Sequence, residues 1–220
     1  PPHKIHPSNS YATESPVTDG ECVYAYFAAV GIIACLNGAG DVIWEKDLGA
    51  YRTSSDFGTG SSLAIHKGIV FVQCDNESES FLLALEGKTG KEVWKLDRAG
   101  RTSWSSPVIW KNSERVELVV CGAGSVSSYE PQTGKLLWTL TGTGGAFSAS
   151  PTCDSERIYL GNSGRNSRGP LVAIQAGASG ELTLESIGEK KLAWIADASA
   201  PGMCSPVVVD GRLFVLSRGI

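Results

Sequence analysis

A tryptophan-ended turn recurs along the chain, and it constrains the fold more than any other feature of the sequence. Each copy is a short polar turn that runs into an apolar stretch closed by the indole. The copies end 50, 44 and 56 residues apart, at Trp44, Trp94, Trp138 and Trp194. Recurrence at this spacing predicts that the chain repeats one structural unit of about 50 residues.

A second marker, a short stretch containing serine, opens each unit. Its spacings are 47, 44, 44 and 55 residues, measured at Pro16, Leu63, Pro107, Pro151 and Pro206. Because this marker stays in phase with the tryptophans, the repeat does not rest on one residue type. Both markers indicate the same unit.

Each unit contains four short apolar runs, which read SSLAIH, GIVFVQC, FLLALE and KEVWKL in the second copy. Four strands in about 40–50 residues is one blade of a β-propeller. The sequence therefore predicts an all-β propeller of four-stranded antiparallel blades, with four full blades and the first half of a fifth. An irregular segment at 1–13 is expected before blades at about 14–48, 58–97, 103–141, 147–197 and 203–220.

The recurring tryptophans are predicted to dock each blade against the turn of the next. A large flat ring on the outermost strand can cover a glycine-containing turn and bury much of its own area there. A glycine stands four residues before three of the four rings, at Gly40, Gly90 and Gly134. In the fourth unit an insertion, AGASGELTLESIGE, replaces the short turn, and we expect it to form a longer hairpin loop.

The segment ALEGKTGKEVW, from Ala84 to Trp94, resembles the docking motif of the pyrroloquinoline-quinone (PQQ) repeat, with Glu86 in its acidic position. SYEPQTGKLLW is similar, with Ser128 in place of alanine, and ACLNGAGDVIW resembles the motif more loosely. The resemblance implies a funnel-like propeller, commonly of seven or eight blades, of which this chain is expected to be a segment. Quinoprotein dehydrogenases and a lipoprotein scaffold of outer-membrane assembly share that fold.

Composition excludes some classes of partner and offers no metal site. The net charge is −4 with no basic stripe, so nucleic acid is not expected. No apolar stretch approaches the roughly 20 residues that span a bilayer. The six cysteines form no Cys-x-x-Cys pair and lie mostly in apolar runs, so we expect buried free thiols and no metal site.

Candidate binding residues fall in the loops that follow each tryptophan strand and those between the second and third strands. Propeller geometry places these loops on one face, where polar groups above an apolar floor form the default binding site. The candidates are Arg52, Asp56, Asp75, Arg101, Trp104, Phe147, Arg165 and Arg168, with Glu77, Glu79 and Met203 in the same loops. Arg101 and Trp104 are the strongest, because they combine charge with stacking area.

These patterns favour a non-catalytic scaffold that presents its loop face to a protein, peptide or carbohydrate partner, with no catalytic residue and no cofactor. By resemblance to the family, its location is expected to be periplasmic or extracellular. The alternative is a fragment of an alcohol or sugar dehydrogenase that uses PQQ and calcium. The resembled alcohol-oxidising enzymes add a vicinal cysteine pair, and no adjacent cysteines occur in this sequence.

Overall fold

Strands supply almost all the regular structure of this chain. A computed structural model describes residues 4–7, 9–163, 168–188 and 191–216. Within those ranges the single helical element is a 3-10 turn at Ser54–Asp56, and no helix there is long and apolar enough to cross a membrane. The predicted all-β fold with four-stranded antiparallel blades is confirmed.

The chain divides into two compact units, and the first, Pro1–Thr102, holds two four-stranded antiparallel sheets. In each sheet the strands lie side by side in chain order. The first sheet contains β1 (Val17–Thr18), β2 (Cys22–Phe27), β3 (Ile32–Asn37) and β4 (Val42–Asp47). The second contains β5 (Ala64–His66), β6 (Ile69–Cys74), β7 (Phe81–Glu86) and β8 (Glu92–Asp97).

The second unit, Ser103–Ile220, holds two further blades and a two-stranded sheet. Its first blade contains β9 (Val108–Lys111), β10 (Val116–Gly122), β11 (Ser125–Tyr129) and β12 (Leu136–Thr141). The next contains β13 (Thr152–Cys153), β14 (Arg157–Gly161), β15 (Leu171–Gln175) and β17 (Leu192–Ala196), and β16 (Gly180–Leu182) lies between β15 and β17 in the chain. The two-stranded sheet is formed by β18 (Val207–Val209) and β19 (Arg212–Phe214).

Burial explains why the middle strands read as continuous apolar runs. In β6 and β7 nearly every side chain is buried, because both faces of the sheet are covered. In β4 and β8 half-buried residues alternate with exposed ones, as the outermost strand of a blade requires. Each unit has its own apolar core, centred on side chains such as Tyr24 and Leu85 in the first and Trp110 and Leu160 in the second.

The four tryptophans occupy the same register in their blades. Each lies on the last strand directly after a β-bulge in that strand, and each pairs with a small residue. The pairs are Cys35 with Trp44, Ala84 with Trp94, Ser128 with Trp138 and Ala173 with Trp194. A small residue opposite leaves room for the indole to lie flat on the sheet, which explains the alanine or serine at the start of the motif.

Trp44 reaches the turn of the next blade. Its Nε1 donates a hydrogen bond of 2.7 Å to the carbonyl oxygen of Gly87. Trp138 is fully buried, and its Nε1 donates at 2.7 Å to Oε2 of Glu117 in its own sheet. The Glu117 carboxylate also accepts bonds from Asn112, Arg115 and Ser128, so this buried charge is fully engaged.

The insertion in the fourth unit does not form a plain hairpin loop, so that expectation is wrong. Gly180–Leu182 leaves its own blade and pairs in parallel with β12 of the preceding one, as a fifth strand of that sheet. An outer strand has unpaired backbone groups along one edge, and the insertion supplies partners for them. The sequence showed that the insertion is long, but it did not show that the insertion covers β12.

Candidate functional site

Three loops meet at one end of the two sheets in the first unit, and we call this surface the loop face. They are the loops after β4, between β6 and β7, and after β8. The backbone N–H of Glu77 donates to the carbonyl of Arg52 at 3.1 Å, and the N–H of Ser54 donates to Oγ1 of Thr102 at 2.8 Å. These bonds hold the loops together, so their side chains share one surface.

Two exposed ion pairs lie on the loop face. Arg52 holds Asp56 through its Nε and its terminal nitrogen at 2.7–2.9 Å. Arg101, whose side chain is 82% exposed, donates to Oε2 of Glu77 at 2.9 and 3.1 Å. The hydroxyl of Thr102 donates to the other oxygen of Glu77 at 2.6 Å. The hydrogen bond from Thr102, assisted by Arg101, lowers the pKa of Glu77 below its usual value.

Asp75 does not present its carboxylate on this face, contrary to the prediction. Its side chain is fully buried, and it accepts bonds from Nε of Arg98 at 2.7 Å and from Nε2 of Gln73 at 2.7 Å. The strand-end position suited a loop ligand in the sequence, but Arg98 lies opposite the loop and pairs with it. Asp75 therefore acts as an internal support beneath the exposed pairs.

The chain's own N-terminal segment lies across the loop face. The N–H of His6 donates to the carbonyl of Asp56 at 2.6 Å. The side-chain amide of Asn9 donates to the carbonyls of Phe57 at 2.7 Å and Thr59 at 3.1 Å. The ring of His6 packs on that of Phe57 with centroids 4.7 Å apart. The segment turns back between His6 and Asn9, where the N–H of Asn9 donates to the carbonyl of His6 at 3.0 Å, and the loop holds this turn through backbone carbonyls and one aromatic ring.

Gly58 makes this approach possible. Its φ is +87°, and a Cβ atom placed there would lie 2.6 Å from Nδ2 of Asn9 and 3.3 Å from Cγ2 of Ile5. A small open depression beside it, with Ile5, Tyr51 and Thr53 in its lining, has room for about one water molecule. At this place the loop face therefore offers a shallow surface to a chain.

The candidates in the second unit are not gathered in the same way. Phe147 is fully buried in the core of that unit, so its predicted place on the binding surface is wrong: the glycines around it let the chain turn its ring inward. Trp104 is half-buried, and its backbone N–H donates to the backbone carbonyl of Phe147 at 2.7 Å. Arg168 is exposed, and Arg165 lies outside the described residues.

No three His, Cys, Asp or Glu side chains form a metal-binding group in the described part of the chain. On the loop face Asp56 is held by Arg52 and Glu77 by Arg101, and beneath it Asp75 is held by Arg98. Glu79 in the same loop is exposed.

Several residues of this face carry no signal that sequence reasoning could use. Asn9 lies in an irregular segment, Thr102 in a loop and Arg98 at a strand end, and none belongs to a repeated pattern. Arg98 shows a weak hint, because a charged residue next to the mostly buried end of β8 needs a partner nearby.

Comparison with known proteins assigns the family. A family model described as outer membrane protein assembly factor BamB matches residues 29–186 and 123–219, which together cover most of the chain. The chain belongs to this family. No curated protein matches the sequence.

Members of the BamB family and quinoproteins are also found among similar solved structures. BamB from Moraxella catarrhalis is 13% identical with a TM-score of 0.52, covering 92% of this chain and 68% of its own. A quinohemoprotein alcohol dehydrogenase from Pseudomonas putida HK5 is 16% identical with a TM-score of 0.52, covering 91% of this chain. A europium-containing methanol dehydrogenase is 22% identical with a TM-score of 0.44, covering 59% of this chain.

The chain spans only 37% of the length of the Pseudomonas enzyme and 24% of the length of the methanol dehydrogenase. At these identities the likenesses show the fold alone. The BamB-family assignment and the PQQ-like blades therefore agree with the resemblance seen in the tryptophan motif.

Proposed function

We propose that this BamB-family chain is a non-catalytic scaffold whose loop face binds a short peptide segment of a protein partner outside the cytoplasm. The observation that carries the proposal is the N-terminal segment on that face. It is held as a peptide would be held, by N–H and amide donors to the carbonyls of Asp56, Phe57 and Thr59. Recognition of this kind needs no reactive group.

The loop face also offers charge to a partner. The Arg101 side chain is 82% exposed, and its pair with Glu77 lies at the surface, where such pairs contribute about 0–1 kcal/mol. An acidic side chain of a partner can compete for this guanidinium at little cost. Arg52 is 65% exposed in its pair with Asp56 and offers a second cation of the same kind.

The location proposed for this activity rests on the family. The description of its model concerns assembly of outer-membrane proteins. A face that holds a peptide segment through its backbone carbonyls suits a protein partner of such an assembly factor, because these carbonyls can accept bonds from the main chain or side chains of many sequences.

Site-specific photo-crosslinking in the full-length protein tests this proposal. A crosslinking amino acid at Arg101 should trap a protein partner in cell-envelope material, whereas the same residue at Lys88, in the turn at the opposite end of β7 and β8, should not. The crosslinked product should form in a mixture of the purified protein and its purified partner, and it should be absent when the partner is left out. Equal trapping at both positions, or none at Arg101, would contradict the proposal.

The quinoprotein alternative predicts a different outcome, and its support is the fold shared with the Pseudomonas enzyme. Titration of the full-length protein with PQQ and calcium should then give a saturable absorbance change and dye-linked oxidation of an alcohol or sugar. Binding of PQQ without oxidation of an alcohol or sugar would support a PQQ-binding site but not a dehydrogenase. Absence of binding would remove the alternative.

A further inference from the structure

One blade shows what its outer edge can accept. In the second unit β16 lies along β12 in parallel, with Gly180 opposite Trp138, Glu181 opposite Thr139 and Leu182 opposite Leu140. The covered side chains Trp138 and Leu140 are both 0% exposed. The pattern of the added strand is a small residue, then a polar one, then an apolar one.

The matching strand of the second blade, β8, has the same Trp-x-Leu pattern in Trp94, Lys95 and Leu96. It is the last strand of its sheet, and no further strand is paired with it in the first unit as described. Trp94 and Leu96 remain half-buried there, and Val93 is 43% exposed. The edges of β12 and β8 thus have the same apolar pattern. They differ because β16 covers the edge of β12, whereas the edge of β8 is open.

The hydrogen-bond ladder shows which backbone groups line the open edge. Arg98 donates its N–H to the carbonyl of Ser80 at 2.9 Å, next to the pair formed by Phe81 and Asp97. Bonded and non-bonded pairs alternate along an antiparallel ladder. The N–H and C=O of Lys95 therefore point away from β7, toward the open edge, as an added strand requires.

We propose that the open edge of β8 binds an extended segment of a protein partner as a parallel fifth strand. The segment has a small residue opposite Trp94, an acidic residue opposite Lys95 and an apolar residue opposite Leu96. The small residue leaves room for the indole, the acidic one pairs with the ammonium of Lys95, and the apolar one completes the burial of Leu96. This surface is separate from the loop face, and the proposal stands independently of the function proposed for that face.

Charge explains why the partner is selective. An open edge with apolar neighbours invites any strand, and charged side chains on it limit that pairing. Lys95 projects from the face of β8 opposite to Trp94 and Leu96, and its ammonium lies 4.7 Å from the centre of the Phe81 ring. In an added strand, the residue opposite Lys95 lies on this same face, beside the ammonium. A basic segment is repelled and an acidic one is favoured.

A peptide with the sequence of residues 177–185 (GASGELTLE) is the probe, because it contains the strand that covers β12. It is titrated into the full chain while amide hydrogen exchange is followed residue by residue. We expect slower exchange at Lys95, whose N–H faces the edge. Protection at β12 alone, or none at all, would overturn the proposal.

Charge exchange supplies the second arm of the test. Lys95→Glu should weaken peptide binding by about fivefold, the size of one cross-strand charge pair. A peptide with lysine in place of the glutamate that corresponds to Glu181 should regain that affinity on the variant. Lys88→Glu, an equal charge change in the turn before β8, is the control and should leave binding unchanged.

Methylation of the peptide backbone forms the third arm. In a parallel pair the N–H of the peptide leucine that corresponds to Leu182 donates to the carbonyl of Lys95. A peptide N-methylated at that leucine should fail to protect β8. Equal affinity of the methylated peptide, or loss of binding with Lys88→Glu as large as with Lys95→Glu, would show binding by charge alone and contradict strand addition.

Discussion

Trp44 lies so close to Gly90 that no other residue fits in that turn without a shift. A Cβ atom at Gly90 would lie 2.8 Å from the indole carbons Cδ2 and Cε3 of Trp44, and the φ of Gly90 is +67°. Two independent reasons, space and backbone conformation, thus require glycine at one position of the repeated motif. The contact joins the first blade to the turn of the second.

Gly90→Ala should therefore destabilise the protein by about 1–3 kcal/mol, through strain at positive φ and displacement of the indole. Urea unfolding followed by tryptophan fluorescence measures this change. Gly38→Ala is the matched control, because nothing lies within 4 Å of a Cβ there and its φ is not positive. A loss for Gly90→Ala no larger than for Gly38→Ala would contradict the account of the turn.

Asp75→Asn should cost about 3–5 kcal/mol, because Arg98 would remain buried without the carboxylate that balances its charge. Asp56→Asn, in the exposed pair with Arg52, should cost less than about 1 kcal/mol. Both variants remove one charge from an arginine–aspartate pair in the same unit. Urea unfolding of both variants measures the difference. Equal losses of unfolding free energy in Asp75→Asn and Asp56→Asn would contradict the claim that burial makes the Asp75–Arg98 pair the more important one.

Glu77 should contribute a pH-dependent part of the stability. Since its pKa is lowered in the folded chain, chiefly by the Thr102 hydroxyl, the stabilisation is complete above the ordinary value of 4.5 and is lost as the pH falls through the folded pKa. Glu77→Gln should flatten the fall in unfolding free energy below pH 4.5. An unchanged slope in that variant would be evidence against the bond to Thr102.

Thiol reactivity should separate two cysteines. Burial raises the pKa of the Cys74 thiol to about 11, whereas Cys204 is exposed. At pH 8 only ~0.1% of a thiol with that pKa is thiolate, and the buried sulfur is also shielded from reagent. Iodoacetamide should modify Cys204 under native conditions and Cys74 only in denaturant, as peptide mass spectrometry can show. Early modification of Cys74 would contradict its burial.

The repeat predicted the fold because each marker keeps the same position in every blade that contains it. The tryptophan register recurs in four blades. The serine marker recurs as bonds between neighbouring blades: Ser15 N–H to Ser62 Oγ at 2.9 Å, Ser106 N–H to Ser150 Oγ at 2.9 Å and Ser150 N–H to Ser205 Oγ at 3.0 Å. A repeated sequence reports repeated contacts, so fold class could be inferred without coordinates.

The site was less predictable because its residues do not repeat. Arg52, Asp56 and Arg101 were placed on one surface by propeller geometry, and the structure brings them together. Whether a loop residue faces outward depends on a partner elsewhere in the chain, as Asp75 shows with Arg98. Phe147 likewise turned inward because an apolar core, invisible in its own glycine-rich segment, accepts its ring.

The most direct test of the central claim is the binding of a labelled peptide with the sequence of residues 4–13 to the full-length protein carrying Asn9→Ala. That substitution removes the two bonds from Asn9 to the carbonyls of Phe57 and Thr59, which weakens the hold of the chain's own segment on the loop face. Fluorescence anisotropy should show saturable binding that weakens when the peptide also has alanine at its asparagine. No binding, or an affinity that does not depend on that asparagine, would contradict a loop face that holds a peptide segment.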